Sequence, residues 1–257
     1  MDLQRIRELL EETTELCNRP DFIPSDPISV PHRFERLQDI EIAALWAATI
    51  AWGLRKTIIK DALWAMELMD FEPYEFVLHH TKGDRKLFEK YYHRTFQPAD
   101  ALYFLEFLQN YYRQHESLEW AFAKHLPKGA ETVEAALVGF HGDFFSLPSA
   151  PERTKKHLPS PARRSACKRI NLFLRWMVRD DQRGVDFGLW KRIHPRQLVV
   201  PYDTHVQRVA LKLELINRKQ ADWKSALELT RRLRAFDVED PVRYDFGLLW
   251  LGLEGFA

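Results

Sequence analysis

Apolar residues recur at three- and four-residue spacing along most of this chain, the period of amphipathic helices packed on a core. Leu3, Ile6, Leu9, Leu10 and Leu16, with Thr13, predict a first helix. Four prolines between Asn18 and Arg33 (Pro20, Pro24, Pro27, Pro31) then impose a loop or extended segment. Residues 40–54, with Asp39 as cap, read as a helix apolar almost all round, and hence as a buried central one. Helices are also predicted from Thr57 to Met69, Pro98 to His115, Leu118 to Leu126 and Thr132 to Phe144, with short ones between Pro73 and Pro98. Pro148 to Pro161 is polar and proline-rich, a loop.

The C-terminal part continues the pattern. A helix from Ala162 to Val178 buries Ile170, Phe173, Leu174 and Met177, with Arg164, Lys168 and Arg175 off that stripe. A connector, Gly184 to Gln197, and an extended run, Leu198 to Pro201, lead to Asp203. This aspartate caps a helix whose inner face is Val206, Val209, Ala210 and Leu213. Helices from Trp223 to Arg234 and from Pro241 to Leu253 follow, the latter with Asp240 as cap and Pro241 in the first turn. No hairpin signal or internal repeat is present. The expected class is all-α, with two lobes and a cleft between them. One lobe spans residues 36–178, and residues 1–35 and 179–257 form the other.

Composition narrows the function. With 257 residues and 46% hydrophobic content, a large core is available. Ten glycines argue against a phosphate-binding α/β fold built on glycine turns. Two cysteines, Cys17 and Cys167, are too few for a disulfide framework or a four-cysteine cluster. His79-His80 and His141-Gly142-Asp143 lack a third ligand at useful spacing, so no metal or cofactor is expected. No apolar run has the length of a membrane span, and the charged N-terminus does not read as a secretory signal. A cytoplasmic monomer without membrane contact is the expectation.

Net charge is only +1, but its distribution is uneven. Glu152 to Arg179 holds nine lysines and arginines against one acid. Such a local positive field suggests a polyanion partner, and DNA is the expected one. Arg163, Arg164, Arg169, Arg175, His205 and Arg208 are the candidate nucleic-acid contacts. A carboxylate at a helix start (Asp203) and an amine on the basic helix (Lys168) are the group types needed to cut a base from its sugar.

Two resemblances bear on these residues. Asp39-Ile40-Glu41-Ile42-Ala43, Ala51-Trp52-Gly53-Leu54-Arg55-Lys56, Leu174-Arg175-Trp176-Met177-Val178-Arg179, Gly184-Val185-Asp186-Phe187-Gly188-Leu189-Trp190 and Asp240-Pro241-Val242-Arg243-Tyr244-Asp245-Phe246 resemble the domain-of-unknown-function 2400 family of bacteria. That resemblance spans nearly the full length and implies no activity. More distantly, residues 162–253 resemble the catalytic half of the helix-hairpin-helix (HhH-GPD) DNA glycosylases. Lys168-Arg169-Ile170-Asn171-Leu172-Phe173-Leu174 resembles the start of that superfamily's second hairpin helix. Tyr202-Asp203-Thr204-His205-Val206-Gln207-Arg208-Val209 resembles its aspartate-bearing run.

This second resemblance implies Lys168 as amine nucleophile and Asp203 as essential carboxylate of a base-excision glycosylase with AP lyase activity, oxidised purine being the favoured lesion. The superfamily's glycine-rich hairpin turn is replaced here by Leu158-Pro159-Ser160-Pro161-Ala162-Arg163-Arg164-Ser165, without glycine. Lys168 and Asp203 lie 35 positions apart, longer than in most members. Trp52, Arg55, Asp186, Trp190 and Asp245 are candidates for the base pocket. Two alternatives stand beside this reading: a non-catalytic nucleic-acid-binding protein on the same scaffold, and a helical enzyme for a small anionic substrate.

Overall fold

The computed structural model describes residues 2–256, and its regular elements are helices. Among the described residues there are eleven α-helices, with 3₁₀ turns in some of the connections: α1 (Leu3–Cys17), α2 (Leu37–Thr49), α3 (Arg55–Glu67), α4 (Pro73–His79), α5 (Pro98–Tyr112), α6 (Glu119–Ala123), α7 (Glu134–Phe144), α8 (Lys168–Val178), α9 (Thr204–Lys212), α10 (Trp223–Arg234) and α11 (Asp245–Leu253). Among the described residues the only β features are two isolated bridges, one joining Ser165 to Asp222. No described helix is long and apolar enough to cross a membrane.

The apolar stretch at 40–54 becomes α2, buried from Ile40 to Thr49 and packed against α3, α4 and α8. Around the other end of the chain, α1 lies along α11, and α11 also packs on α9. One continuous hydrophobic cluster runs through both groups of helices. Gly247 lets α11 approach α1: a Cβ there would meet Leu10 O at 2.8 Å and Thr13 Oγ1 at 2.7 Å.

Several boundaries differ from the sequence pattern, each for a local reason. α2 starts at Leu37, and Asp39 does not cap it; its carboxylate accepts instead from Tyr74 N (2.8 Å), fixing the entry to α4. α2 stops at Thr49 rather than running to 54, because the chain turns at Gly53, whose φ is +105°. The basic helix begins at Lys168, not Ala162. A 3₁₀ turn, Pro161–Arg163, precedes it, and Arg164 (φ +60°) and Cys167 (φ +54°) both adopt left-handed backbone. Pro241 opens a 3₁₀ turn before α11, and Asp240 makes no capping bond because Arg179 Nε holds it at 2.7 Å.

The connector from Gly184 to Gln197 is tied down by a buried acid. Glu41, in the middle of α2, is fully buried. It accepts hydrogen bonds from Tyr112 Oη (2.8 Å), Ser117 Oγ (2.5 Å), Leu118 N (2.9 Å) and Trp190 Nε1 (2.7 Å). Burial pushes its carboxyl pKa up, and the four donors oppose that shift. Removing this acceptor strands four donors in the interior, where each lost partner costs about 1–3 kcal/mol. Glu41→Ala is therefore expected to destabilise the fold by about 4 kcal/mol or more in urea denaturation. A loss under about 1 kcal/mol would show that the network contributes little.

Candidate active site

α8 and α9 begin close to each other in space. Lys168 is the first residue of α8, where a cation opposes the helix dipole and gains the helix nothing. Its side chain reaches back to the end of α2, donating to Ala51 O at 3.4 Å, and its Nζ lies 3.8 Å from Asp203 Oδ2. Asp203 caps α9 as its position suggests: Oδ1 accepts from His205 N (2.9 Å) and Val206 N (3.0 Å). One oxygen is thus committed to the helix, which fixes the carboxylate and turns the other towards the amine. Both side chains remain open to solvent, 31% exposed for Lys168 and 27% for Asp203. Such a pair is worth only about 0–1 kcal/mol of stability.

The two groups stand at a crevice of about 580 Å³, within the usual range of ligand pockets. Phe22, Leu249 and Leu253 give it apolar walls. Arg55, Trp52 and Asp245 also line it, as does Asp26, which the sequence pattern did not single out. Asp26 is 7% exposed; its one strong hydrogen bond is accepted by Oδ1 from Ile28 N at 3.1 Å, and burial pushes its pKa up. The available signal was an aspartate directly ahead of a proline (Asp26-Pro27), the same start signal as Asp240-Pro241. Asp245 is pushed up to about 6 by burial, against the pull of Arg175, whose Nη1 lies 2.5 Å from Asp245 Oδ2.

The other candidates separate into distinct environments. Arg175 lines the crevice from its buried side: it is 2% exposed and bonded to Asp186 and Asp245, with its guanidinium 4.2 Å from the Phe246 ring centroid, so its charge is already paired within the protein. Asp186 and Trp190 are not pocket residues either. Asp186 is buried between Arg175 (3.3 Å) and Arg179 (3.1 Å), and Trp190 is held in the core by Glu41.

Arg169 is turned inward, donating to Thr49 O and to Lys156 O (3.0 Å), and lies 4.6 Å from the Trp52 ring centroid. Trp52 also stacks on His157 at 5.7 Å, so it walls the crevice with its ring already in contact with protein. His205 lines the crevice and Arg208 Nη2 reaches its Nδ1 at 2.9 Å. Arg163 and Arg164 are exposed on the turn before α8.

The dense positive run is therefore weaker in space than in sequence. Arg153 pairs with Asp100, Lys155 with Glu152, and Arg175 and Arg179 with buried aspartates. Among the described residues, Lys156, Arg163 and Arg164 remain as exposed cations of that segment without an ion pair. Burial pushes the Cys167 thiol up to about 12, which removes it as a nucleophile at neutral pH. No group of three metal-binding side chains forms among the described residues.

A family model, Protein of unknown function (DUF2400), matches residues 26–254, nearly the whole chain. The chain belongs to the DUF2400 family. No curated protein and no solved structure matches it. The DUF2400 match covers every residue lining the crevice except Phe22.

Asp245 makes a pH-dependent contribution. Its ordinary pKa is 3.8 and its folded value about 6, so folding takes up a proton between those values. The stability of the protein relative to Asp245→Asn is accordingly expected to fall as pH rises from about 4 to about 6 and to level off above that. Parallel melting curves across the window would contradict the assignment.

Proposed function

We propose that this protein is a DNA base-excision glycosylase with AP lyase activity, acting through Lys168 and Asp203. The observation that carries the reading is an amine and a rigidly held carboxylate 3.8 Å apart at the mouth of an open crevice. Their exposure separates them from Arg175–Asp245, a pair of similar chemistry that is almost wholly buried.

The chemistry follows from the two groups. A base swung out of the duplex enters the crevice between its apolar walls. As the bond from C1′ to the base nitrogen lengthens, positive charge grows on the sugar, and Asp203 Oδ2 stabilises it. The Lys168 amine, once its ammonium proton has passed to solvent and while Asp203 stays ionised, attacks C1′. The C–N bond to the base breaks and the base leaves with its electron pair and takes up a proton. The C1′–O4′ bond of the resulting aminal then breaks, O4′ taking up a proton, which leaves Nζ joined to C1′ as a Schiff base; loss of a C2′ proton expels the 3′ phosphate and cuts the strand.

Asp26 and Asp245, at the inner side of the crevice, act as acceptors for N–H groups of the extruded base. Arg163 and Arg164, on the turn before α8, and Lys156, at the end of the 3₁₀ segment Glu152–Lys156, face the sugar-phosphate backbone. That turn keeps left-handed backbone at Arg164 and Cys167 without a glycine, and Ser165 Oγ accepts from Cys167 N (3.2 Å) to hold it. An oxidised purine is the lesion proposed.

Borohydride trapping and base release on duplexes carrying 8-oxoguanine, hypoxanthine, uracil or a preformed abasic site test the proposal. Wild-type protein is expected to trap covalently and release at least one of these bases. Lys168→Ala is expected to lose the adduct, and Asp203→Asn to slow base release by about 10²–10³-fold while keeping the α9 cap. If the wild type forms no adduct and releases no base, while DNA binding survives both substitutions, the protein is a non-catalytic binder.

A further inference from the structure

A second recess lies apart from the crevice. A groove of about 710 Å³ lies among α6, the loop before α7, the end of the connector and the last turn of α10, and it shares no lining residue with the crevice. Five basic side chains line it: Lys128, Arg192, His194, Arg196 and Arg234. Glu131 is the one acid in its lining. Arg192 has a distant partner in Glu119 (3.9 Å); Lys128, His194, Arg196 and Arg234 have no ion pair among the described residues.

The walls are fixed before any ligand arrives. Gln197, 7% exposed, donates through Nε2 to Ala130 O (2.9 Å), accepts at Oε1 from His194 N (3.0 Å), and its carbonyl accepts from Val133 N (2.9 Å). Arg234 Nη2 donates to Glu131 O (2.6 Å) and Arg196 O (2.9 Å), joining the two loops. This half-buried guanidinium is therefore held by carbonyls and not neutralised by a carboxylate. Burial pushes its pKa below the ordinary value against the pull of the nearby Glu131 carboxylate, with Arg231 adding to the drop. Beside it, Trp120 is 43% exposed, with the Arg192 guanidinium 5.3 Å from its ring centroid. A rigid recess with uncompensated cations at one side and an open indole at the other matches an anion that carries a flat ring.

We propose that this groove binds a nucleotide unit, with its phosphate among Lys128, Arg196 and Arg234 and its base against Trp120. The site is independent of the Lys168–Asp203 chemistry and stands or falls separately. Its nucleotide comes either from a free mononucleotide or from a nucleic-acid strand passing over this face.

The test is a titration followed by the indole N–H resonance of Trp120, assigned by its loss in Trp120→Phe. Inorganic phosphate, adenosine monophosphate and a short thymidine oligonucleotide are added in turn to the whole protein. The nucleotides are expected to shift the Trp120 resonance saturably and more tightly than phosphate alone. Arg196→Glu, at an exposed position, is expected to weaken them by about tenfold or more with melting unchanged, while Lys168→Ala leaves them as in the wild type. Tighter binding of the oligonucleotide identifies a strand as the source, and equal binding identifies the free nucleotide. No shift at millimolar nucleotide, equal affinity for phosphate alone, or equal affinity in a folded Arg196→Glu variant would overturn the proposal.

Discussion

The position of the crevice depends on a row of buried ion pairs along one face of α8. Lys168, Leu172, Arg175 and Arg179 follow one another at four, three and four residues, so they share a side of the helix. Arg175 is fixed by Asp245 at the start of α11 and by Asp186 in the connector; Arg179 is fixed by Asp186, Asp181 and Asp240. Two guanidiniums buried without partners would cost several kcal/mol each, so this face of α8 cannot rotate or slide without breaking bonds to three other segments. Lys168 stands two turns before Arg175 on the same face. Clamping the interior end of the row aims its outer end at Asp203.

A gradient of exposure along that row separates its sealed end from its open end. Arg175 and Arg179 are sealed and saturated with carboxylates, so they hold the architecture. Lys168 sits where the seam opens, with one carboxylate oxygen and one carbonyl near it and solvent on the remaining side. Asp203 is split in the same way, one oxygen capping α9 and the other free to act. The acids deeper in the crevice, Asp26 and Asp245, have their pKa values raised by burial, a setting in which hydrogen bonding to a ligand edge has large consequences.

The helical class was legible because apolar spacing reports directly on packing faces, and α1, α5, α9 and α10 lie close to their predicted spans. Asp203 was legible as a cap because capping is local chemistry. The fate of charged residues was less legible. Arg175 and Arg169 sit in a run that reads as a cationic surface, yet their partners are Asp245, Asp186, Thr49 and Lys156, two of them far along the chain. Sequence spacing cannot reveal that an arginine off the apolar stripe faces a second packed group of helices rather than water. The same blindness hid Asp26, whose importance comes from what folds over it. The left-handed turn at Arg164 and Cys167 was invisible because glycine, its usual marker, is absent; such residues cost of order 1 kcal/mol each and are held by the surrounding contacts.

That Lys168 itself attacks the sugar is tested most directly by locating the bond. Protein reduced with borohydride on abasic-site DNA, digested and sequenced by tandem mass spectrometry, is expected to carry the deoxyribose remnant on Lys168 Nζ and on no other lysine. An adduct spread over exposed lysines such as Lys156, or mapped to the N-terminal amine, would contradict the assignment and leave Lys168 as a charge partner of Asp203.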